Sequence, residues 1–185
     1  MNISVTSREA ILKNCRKLVS EEGLNALNMR AVANACGVAL GSIYYYFPSK
    51  SDLMIATIES VWEDIFRWND ESAYELSFPD YIDRCFEHIL LGIERYPNFF
   101  TIHSISFSSK GQNKAYTTME RYLLQIKENM LRALKSDQNI RDNAFTADFS
   151  EECFIEFILS NIVSLLVRKN SECNTLLHVI RRTIY

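Results

Sequence analysis

The chain has 185 residues, of which 48% are hydrophobic and 23% are charged, and its formal net charge at pH 7 is −3. These proportions are typical of a globular protein and exclude a disordered chain. Only five glycines and three prolines are present, too few for the regular turns of a β-sandwich or barrel. The composition therefore favours an all-α fold of one or two domains.

The charge is unevenly distributed. Residues 1–50 carry six basic and three acidic side chains, whereas residues 51–185 carry 14 basic and 20 acidic ones. A basic module on an acidic body indicates an anionic partner for that module.

The cysteines and the apolar segments indicate the compartment. The five cysteines are widely spaced and form no CxxC pair, which predicts buried free thiols and neither a disulfide framework nor a metal site. No apolar run reaches the roughly 18 residues of a membrane span, and the N-terminus lacks the features of a signal peptide. We therefore expect a cytoplasmic protein with no membrane segment.

Two helices are predicted before residue 37. The first covers about residues 7–22, because Thr6 and Glu9 match a capping box and apolar residues then recur at helical spacing. Gly23 supplies its C-terminal stop. The second runs from Met29 to Cys36, with Asn28 as its N-cap.

Gly37 then turns the chain into a third short helix, from about Leu40 to Phe47. Pro48 ends this helix, because the residue before a proline avoids the α region. Two short helices joined by a glycine turn, after a longer amphipathic helix, form a helix-turn-helix unit. A capping box from Ser49 to Asp52 opens the next helix.

The residues of this unit are more particular than a generic helix-turn-helix. An Ala-x-x-x-Gly-Val core begins at Ala33, a Gly-x-Ile-Tyr-x-x-Phe motif begins at Gly41, and Lys50 precedes the following helix. These motifs resemble the DNA-binding signature of the tetracycline-repressor (TetR) family over about residues 7–55. Asn28 and Ala39 depart from the pattern, since the family usually has Thr or Ser at these two positions.

The resemblance implies an all-α chain of about nine helices. Residues 1–50 would be a three-helix helix-turn-helix DNA-binding domain, and residues 51–185 a helical effector-binding and dimerisation domain. For the second domain the apolar pattern itself predicts helices over about residues 53–68, 78–94, 98–107, 114–134, 146–169 and 173–184.

The resemblance also implies that the third helix lies in the major groove of DNA. None of its base-facing residues is Arg, Lys, Asn or Gln, the side chains that read guanine or adenine with two hydrogen bonds. Specificity would then come from apolar contacts with thymine methyls, hydroxyl groups, Arg30 and DNA shape. By the resemblance, Arg30 reaches either a phosphate or a guanine edge. The alternative is that some of the tyrosines only pack inside the module. The expected DNA contacts are Arg30, Ala39, Leu40, Ser42, Tyr44, Tyr45, Tyr46 and Lys50.

The helix over residues 146–169 is apolar nearly all round, so it must be buried on more than one side. A second copy of the chain is one candidate for the second side, and the family pairs its last two long helices across a two-fold axis. The alternative is a central core helix in a monomer. The predicted dimer interface consists of Phe154, Ile158, Ile162, Leu165, Leu166, Leu177 and Ile180.

Aromatic residues are frequent in the body, and such residues line apolar ligand cavities as well as ordinary cores. No cluster of basic residues or glycine-rich helix start suits a phosphate ligand, so we expect a small apolar or aromatic effector, oriented by His103 or Tyr122. The alternative is that these aromatics are core. The predicted effector site consists of Trp62, Phe66, Phe86, Phe99, His103, Phe107, Tyr122 and Phe157.

These features predict a dimeric transcriptional repressor that binds a near-palindromic double-stranded operator and leaves it when the effector binds. No nucleophile elbow, phosphate loop or HExxH motif occurs, so we expect no catalytic site, no metal and no cofactor. One alternative is a DNA-bound, partner-binding or nucleoid-associated protein that uses the same fold without an effector. A helical enzyme or carrier is the other, and it would bind no duplex DNA.

Overall fold

The computed structural model describes residues 6–67, 71–97 and 113–185, and residues 113–119 by their backbone alone. These residues form eight α-helices, two short 3-10 turns (Leu24–Ala26 and Glu71–Glu75) and one isolated antiparallel bridge. The predicted all-α class is confirmed, and the helix predicted over residues 98–107 lies outside the described residues. The helices are α1 (Arg8–Glu22), α2 (Met29–Cys36), α3 (Leu40–Tyr46), α4 (Lys50–Phe66), α5 (Phe78–Arg95), α6 (Asn113–Ser136), α7 (Glu151–Val167) and α8 (Asn174–Ile184).

The chain divides into two compact units. The first consists of Met1–Ile65 and Gly92–Met119, and the second of Phe66–Leu91 and Glu120–Tyr185. The predicted boundary at residue 50 separates two roles, DNA binding and effector binding, and it stays a prediction.

The first helix begins one residue later than the capping box predicted. The N-cap is Ser7, whose hydroxyl accepts a hydrogen bond from the Ala10 N–H at 3.1 Å. Thr6 is therefore not the cap, and Glu9 pairs with Arg16 at 3.2 Å instead of reaching back to the cap. Gly23 ends the helix as predicted, with a φ of 80°.

The turn between α2 and α3 follows the sequence closely. The Asn28 side chain accepts from the Ala31 N–H at 2.9 Å, which confirms the predicted cap of α2. Gly37 adopts the left-handed conformation with a φ of 65°, where a side chain would be strained. Ala39 gives α3 no side-chain cap. The Asp52 N–H donates to the Ser49 hydroxyl at 3.1 Å, as the second capping box predicted.

The second unit contains an aromatic cluster centred on Phe154. Its ring centroid lies 6.3 Å from that of Phe78, 5.8 Å from Phe145 and 5.7 Å from Phe149. The predicted start of α7 near Thr146 is wrong by five residues. Thr146 pairs with Phe149 in the isolated bridge, and the Ser150 hydroxyl caps the helix by accepting from the Cys153 N–H at 3.2 Å.

All five cysteines are free, as expected. Cys15, Cys85 and Cys173 are buried and Cys36 is half-buried, but Cys153 is exposed, so the prediction of burial is wrong for that residue. Burial raises the pKa of Cys15 to about 11 and that of Cys85 to about 12, so these two thiols stay protonated at neutral pH. Within the described ranges, no helix combines the length and the apolar character required to cross a bilayer.

Candidate nucleic-acid interface

The two faces of α3 differ sharply in exposure. Ile43 and Phe47 are 0% and 2% exposed and anchor the helix in the first unit. Tyr44 and Tyr45 are 47% and 82% exposed. A large aromatic side chain that projects into solvent from a short helix is available to contact another molecule.

The third tyrosine, Tyr46, makes contacts within its own unit. The Tyr46 hydroxyl donates a hydrogen bond to the Thr6 carbonyl at 2.7 Å, which holds the chain before α1 against α3. Its ring meets that of Tyr45 edge to face, with 5.0 Å between centroids. Tyr46 therefore has a packing role within the first unit, and its predicted contact with DNA stays a prediction.

The other predicted DNA contacts all reach the surface. Arg30, Ala39 and Lys50 are exposed, and Leu40 and Ser42 are partly exposed. Arg30 lies in the first turn of α2 and Lys50 is the first residue of α4, so the two cations lie at the starts of the helices before and after α3.

A polar network in the first unit was not predicted from the sequence. On α4, the Ser60 hydroxyl is hydrogen-bonded to the Arg16 guanidinium of α1. One turn further on, the Asp64 carboxylate accepts from Arg95 and from the Tyr96 hydroxyl, each at 2.8 Å. The network thus connects α1, the second half of α4 and the end of α5.

The Arg95 carbonyl closes the network by accepting from the Ser20 hydroxyl of α1 at 2.7 Å. Burial, assisted by the neighbouring Asp64 carboxylate, raises the pKa of Tyr96, so this hydroxyl stays a donor. The sequence signal was the pair of polar residues, Ser60 and Asp64, spaced by four around the apolar residues Val61 and Trp62 of α4.

The residues of the predicted effector site differ in their exposure to solvent. Trp62 and Phe86 are buried, at 2% and 1% exposure, whereas Phe157 is 46% exposed. Phe66 and Tyr122 lie together, with 6.2 Å between their ring centroids. The remaining three predicted residues, Phe99, His103 and Phe107, lie outside the described residues.

A cavity of about 460 Å³ opens between α7 and α8 and is lined by Leu165 and residues 169–176. None of these residues belongs to the predicted effector site. Its lining is mostly polar, which differs from the apolar site that the sequence predicts.

The residues of the predicted dimer interface are mostly buried within the single chain. Leu165 is half-buried, and the other six are 7% exposed or less. These six buried residues pack in the core of the second unit, and their contact with a second copy stays a prediction. The six are Phe154, Ile158, Ile162, Leu166, Leu177 and Ile180.

A different stripe of α7 faces solvent. Phe157 and Val167 are 46% and 56% exposed, and the stripe repeats at alternating intervals of four and three residues, the spacing of a helix seam. Val179 of α8 is a further exposed apolar residue, at 40%. The exposed residues of the stripe are Cys153, Phe157, Ser160, Ser164 and Val167.

Sequence comparison gives a match over the same module. The family model described as bacterial regulatory proteins, tetR family, matches residues 11–57. The HTH-type transcriptional repressor KstR of Mycolicibacterium smegmatis is 38% identical over 66 residues, which are 36% of this chain and 32% of KstR. The matched segment thus spans about a third of that relative.

Longer matches are more distant. The HTH-type transcriptional repressor KstR2 of Rhodococcus jostii is 21% identical over 152 residues, or 82% of this chain and 74% of KstR2. The crystal structure of BioQ with its natural double-stranded DNA operator has a TM-score of 0.59 at 18% identity, and the match covers 96% of this chain and 97% of BioQ. At that identity the likeness concerns the fold.

Proposed function

The chain belongs to the TetR family of bacterial regulatory proteins, and from this premise we propose that it is a DNA-binding transcriptional repressor of the cytoplasm. The observation that carries the proposal is α3, which buries Ile43 and Phe47 and presents Tyr44 and Tyr45 to solvent. The helix is seated by its apolar face while its other face is free for a major groove, which admits an α-helix.

The side chains around α3 suit a nucleic-acid backbone. Lys50 and Arg30 supply cations on either side of the helix in the chain, and the Tyr44 hydroxyl can donate to a phosphate oxygen. Such contacts orient a protein on a duplex without reading its sequence. Base reading falls to Ala39, Leu40, Ser42 and Tyr45.

We place a homodimer interface on the exposed stripe of α7. The serines at its centre allow close approach of a second helix, and Phe157 and Val167 supply apolar area on either side. A dimer with two-fold symmetry would present two copies of α3 to half-sites about 34–36 Å apart, and its operator would be near-palindromic.

A small apolar or aromatic effector would act by shifting the population of two arrangements of the dimer. It can lower operator affinity only by as much as it prefers the arrangement that does not fit DNA. The network of Arg16, Ser60, Asp64, Arg95 and Tyr96 offers the coupling, because it ties α1 to α4 and to the end of α5. A displacement of α4 would be transmitted to α1 and its module.

The first experiment selects a preferred duplex from random double-stranded DNA with the full chain. We expect a near-palindromic sequence and an affinity that falls steeply with salt. Small aromatic compounds are then titrated against the complex, and transcription is measured from a promoter that carries the selected site. Failure to select any duplex would overturn the proposal. Binding that no small molecule changes would favour the partner-binding or nucleoid-associated alternative.

A further inference from the structure

For three of the four glycines that the structure describes, the fold itself explains why no side chain is present. Gly23 and Gly37 have φ values of 80° and 65°, where other residues are strained. At Gly92, an added Cβ would lie 3.1 Å from the Cα of Ile65. Gly41 differs from all three, because its φ is not positive and an added Cβ would meet no atom within 4 Å.

The fold itself therefore does not require glycine at position 41. Gly41 is the second residue of α3, a helix that also lacks a side-chain cap at Ala39. Glycine loses more backbone freedom on folding than alanine does, so alanine at an unstrained helical position is the more stabilising residue. An exposed glycine in a short, uncapped helix thus weakens the element that carries the proposed interface.

The position of Gly41 indicates what the absence of a side chain makes possible. It precedes Tyr44 and Tyr45 by three and four residues, so the three residues lie on one face of the helix, and all three are exposed. On that face, the absence of a Cβ lets another molecule come into contact with the backbone of α3.

We propose that Gly41 is the point of closest approach between α3 and the operator, and that it sets how deeply the helix enters the major groove. This inference rests on the proposed function. A methyl group at position 41 would hold the helix away from the base edges. Short side chains such as Leu40 and Ser42 would lose their reach, whereas the long side chain of Lys50 could still reach phosphate.

The inference therefore predicts a loss of specificity rather than a uniform loss of binding. For Gly41→Ala in the full chain, we expect operator affinity to fall by at least about tenfold, the scale of one good base contact. Affinity for an unrelated duplex should stay within about twofold, because that binding depends on phosphate contacts. The midpoint of thermal unfolding should be unchanged or higher.

A graded variant and a matched control complete the experiment. Gly41→Val should weaken operator binding more than Gly41→Ala does. Ser136→Thr adds one methyl group at an exposed helical position of the second unit and should leave affinity for both duplexes unchanged.

Each other outcome overturns a stated part of the inference. Wild-type affinity in Gly41→Ala would overturn the role of Gly41 and leave the proposed function standing. An equal loss on both duplexes would refute the control of insertion depth. A lower unfolding midpoint would show that the fold does need this glycine. If the wild type binds no duplex at all, the proposed function fails and the inference fails with it.

Discussion

Two helices of the molecule, α3 and α7, both bury one apolar stripe and expose large side chains on another. On α3 the exposed residues are tyrosines, up to 82% exposed at Tyr45. On α7 they are Phe157 and Val167, which have no polar group. Tyrosine combines an apolar ring with a hydroxyl and suits a wet, polar partner. Exposed phenylalanine and valine side chains on one stripe suit a dry, apolar partner. The comparison supports the proposed assignment of the α3 face to DNA and of the exposed α7 stripe to a second copy.

The largest effect should come from the buried stripe of α7. Ile162 is 1% exposed, so Ile162→Glu places an unpaired charge in the core. We expect it to lower the free energy of unfolding by roughly 3–5 kcal/mol, in the range measured for uncompensated buried charges. Denaturant unfolding measures this, with Leu91→Glu as the control, because Leu91 is 62% exposed on α5 and lies outside the stripe. Equal stability of the two variants would show that Ile162 does not lie in the core.

The exposed stripe should respond differently. Phe157→Glu should leave the monomer folded but weaken the dimer by roughly 2–4 kcal/mol, because it places an unpaired charge in the proposed apolar interface. Light scattering over a dilution series measures the dimer and circular dichroism the fold. A variant that dimerises like the wild type would move the interface away from this stripe.

The sequence predicted the first module better than the second. Asn28, Gly37 and Ala39 each have a local role, as a cap, a turn or a missing cap, and local roles are readable from neighbouring residues. The N-cap of α1 was misplaced, because Thr6 and Ser7 are both good caps.

The second unit was harder for a physical reason. An all-round apolar helix predicts burial on more than one side, but it does not tell which side packs in the core of its own chain. Phe154 was predicted in the dimer interface because it is apolar, and its place among Phe78, Phe145 and Phe149 depends on long-range contacts. Likewise, the Asp64 network joins residues far apart in the sequence, and periodicity carries no information about such pairs.

The exposed face of α3 can be tested at its most exposed residue. Tyr45→Ala should reduce operator affinity by about 1–2 kcal/mol, the scale of a base contact. It should lower the unfolding free energy by at most about 1 kcal/mol, through loss of the ring contact with Tyr46. Tyr46→Phe is the control, since it removes the hydrogen bond to Thr6 and should lower unfolding free energy by about 1 kcal/mol. Titration of both variants with the selected duplex distinguishes the two tyrosines. A loss of operator affinity in Tyr46→Phe and not in Tyr45→Ala would assign the DNA contact to Tyr46.

In the second unit, Asp137 should make the free energy of unfolding sensitive to acid. The helix α3 cannot show this effect, because it contains no acidic residue. Burial alone would raise the pKa of Asp137, but the Tyr185 hydroxyl and the N–H groups of Asn139 and Phe78 outweigh it and lower this pKa below its usual value. The Phe78 N–H, at the start of α5, donates to Asp137 at 2.7 Å.

Because the pKa of Asp137 is lower in the folded state, its stabilisation is fully present above the unfolded pKa of about 3.9. It is lost as the pH falls through the folded-state pKa. We expect Asp137→Asn to cost about 1 kcal/mol at pH 7, since the site is partly exposed, and to flatten the stability curve below pH 4. The exposed Asp148→Asn is the control. Parallel curves of unfolding free energy against pH for the wild type and Asp137→Asn would show that the Asp137 carboxylate does not stabilise the fold in this way.

The smallest effect should be at the edge of the surface that we propose to face DNA. Lys50 is exposed at the start of α4, and a lysine on phosphate contributes through counterion release without reading sequence. Lys50→Ala should therefore weaken binding to every duplex alike and reduce the slope of log affinity against log salt by about one. Lys169→Ala, in the second unit, should leave that slope unchanged. An unaltered slope in Lys50→Ala would exclude this side chain from the phosphate contacts. A loss confined to the selected operator would instead make Lys50 a reader of sequence, and the surface that reads bases would then extend beyond α3.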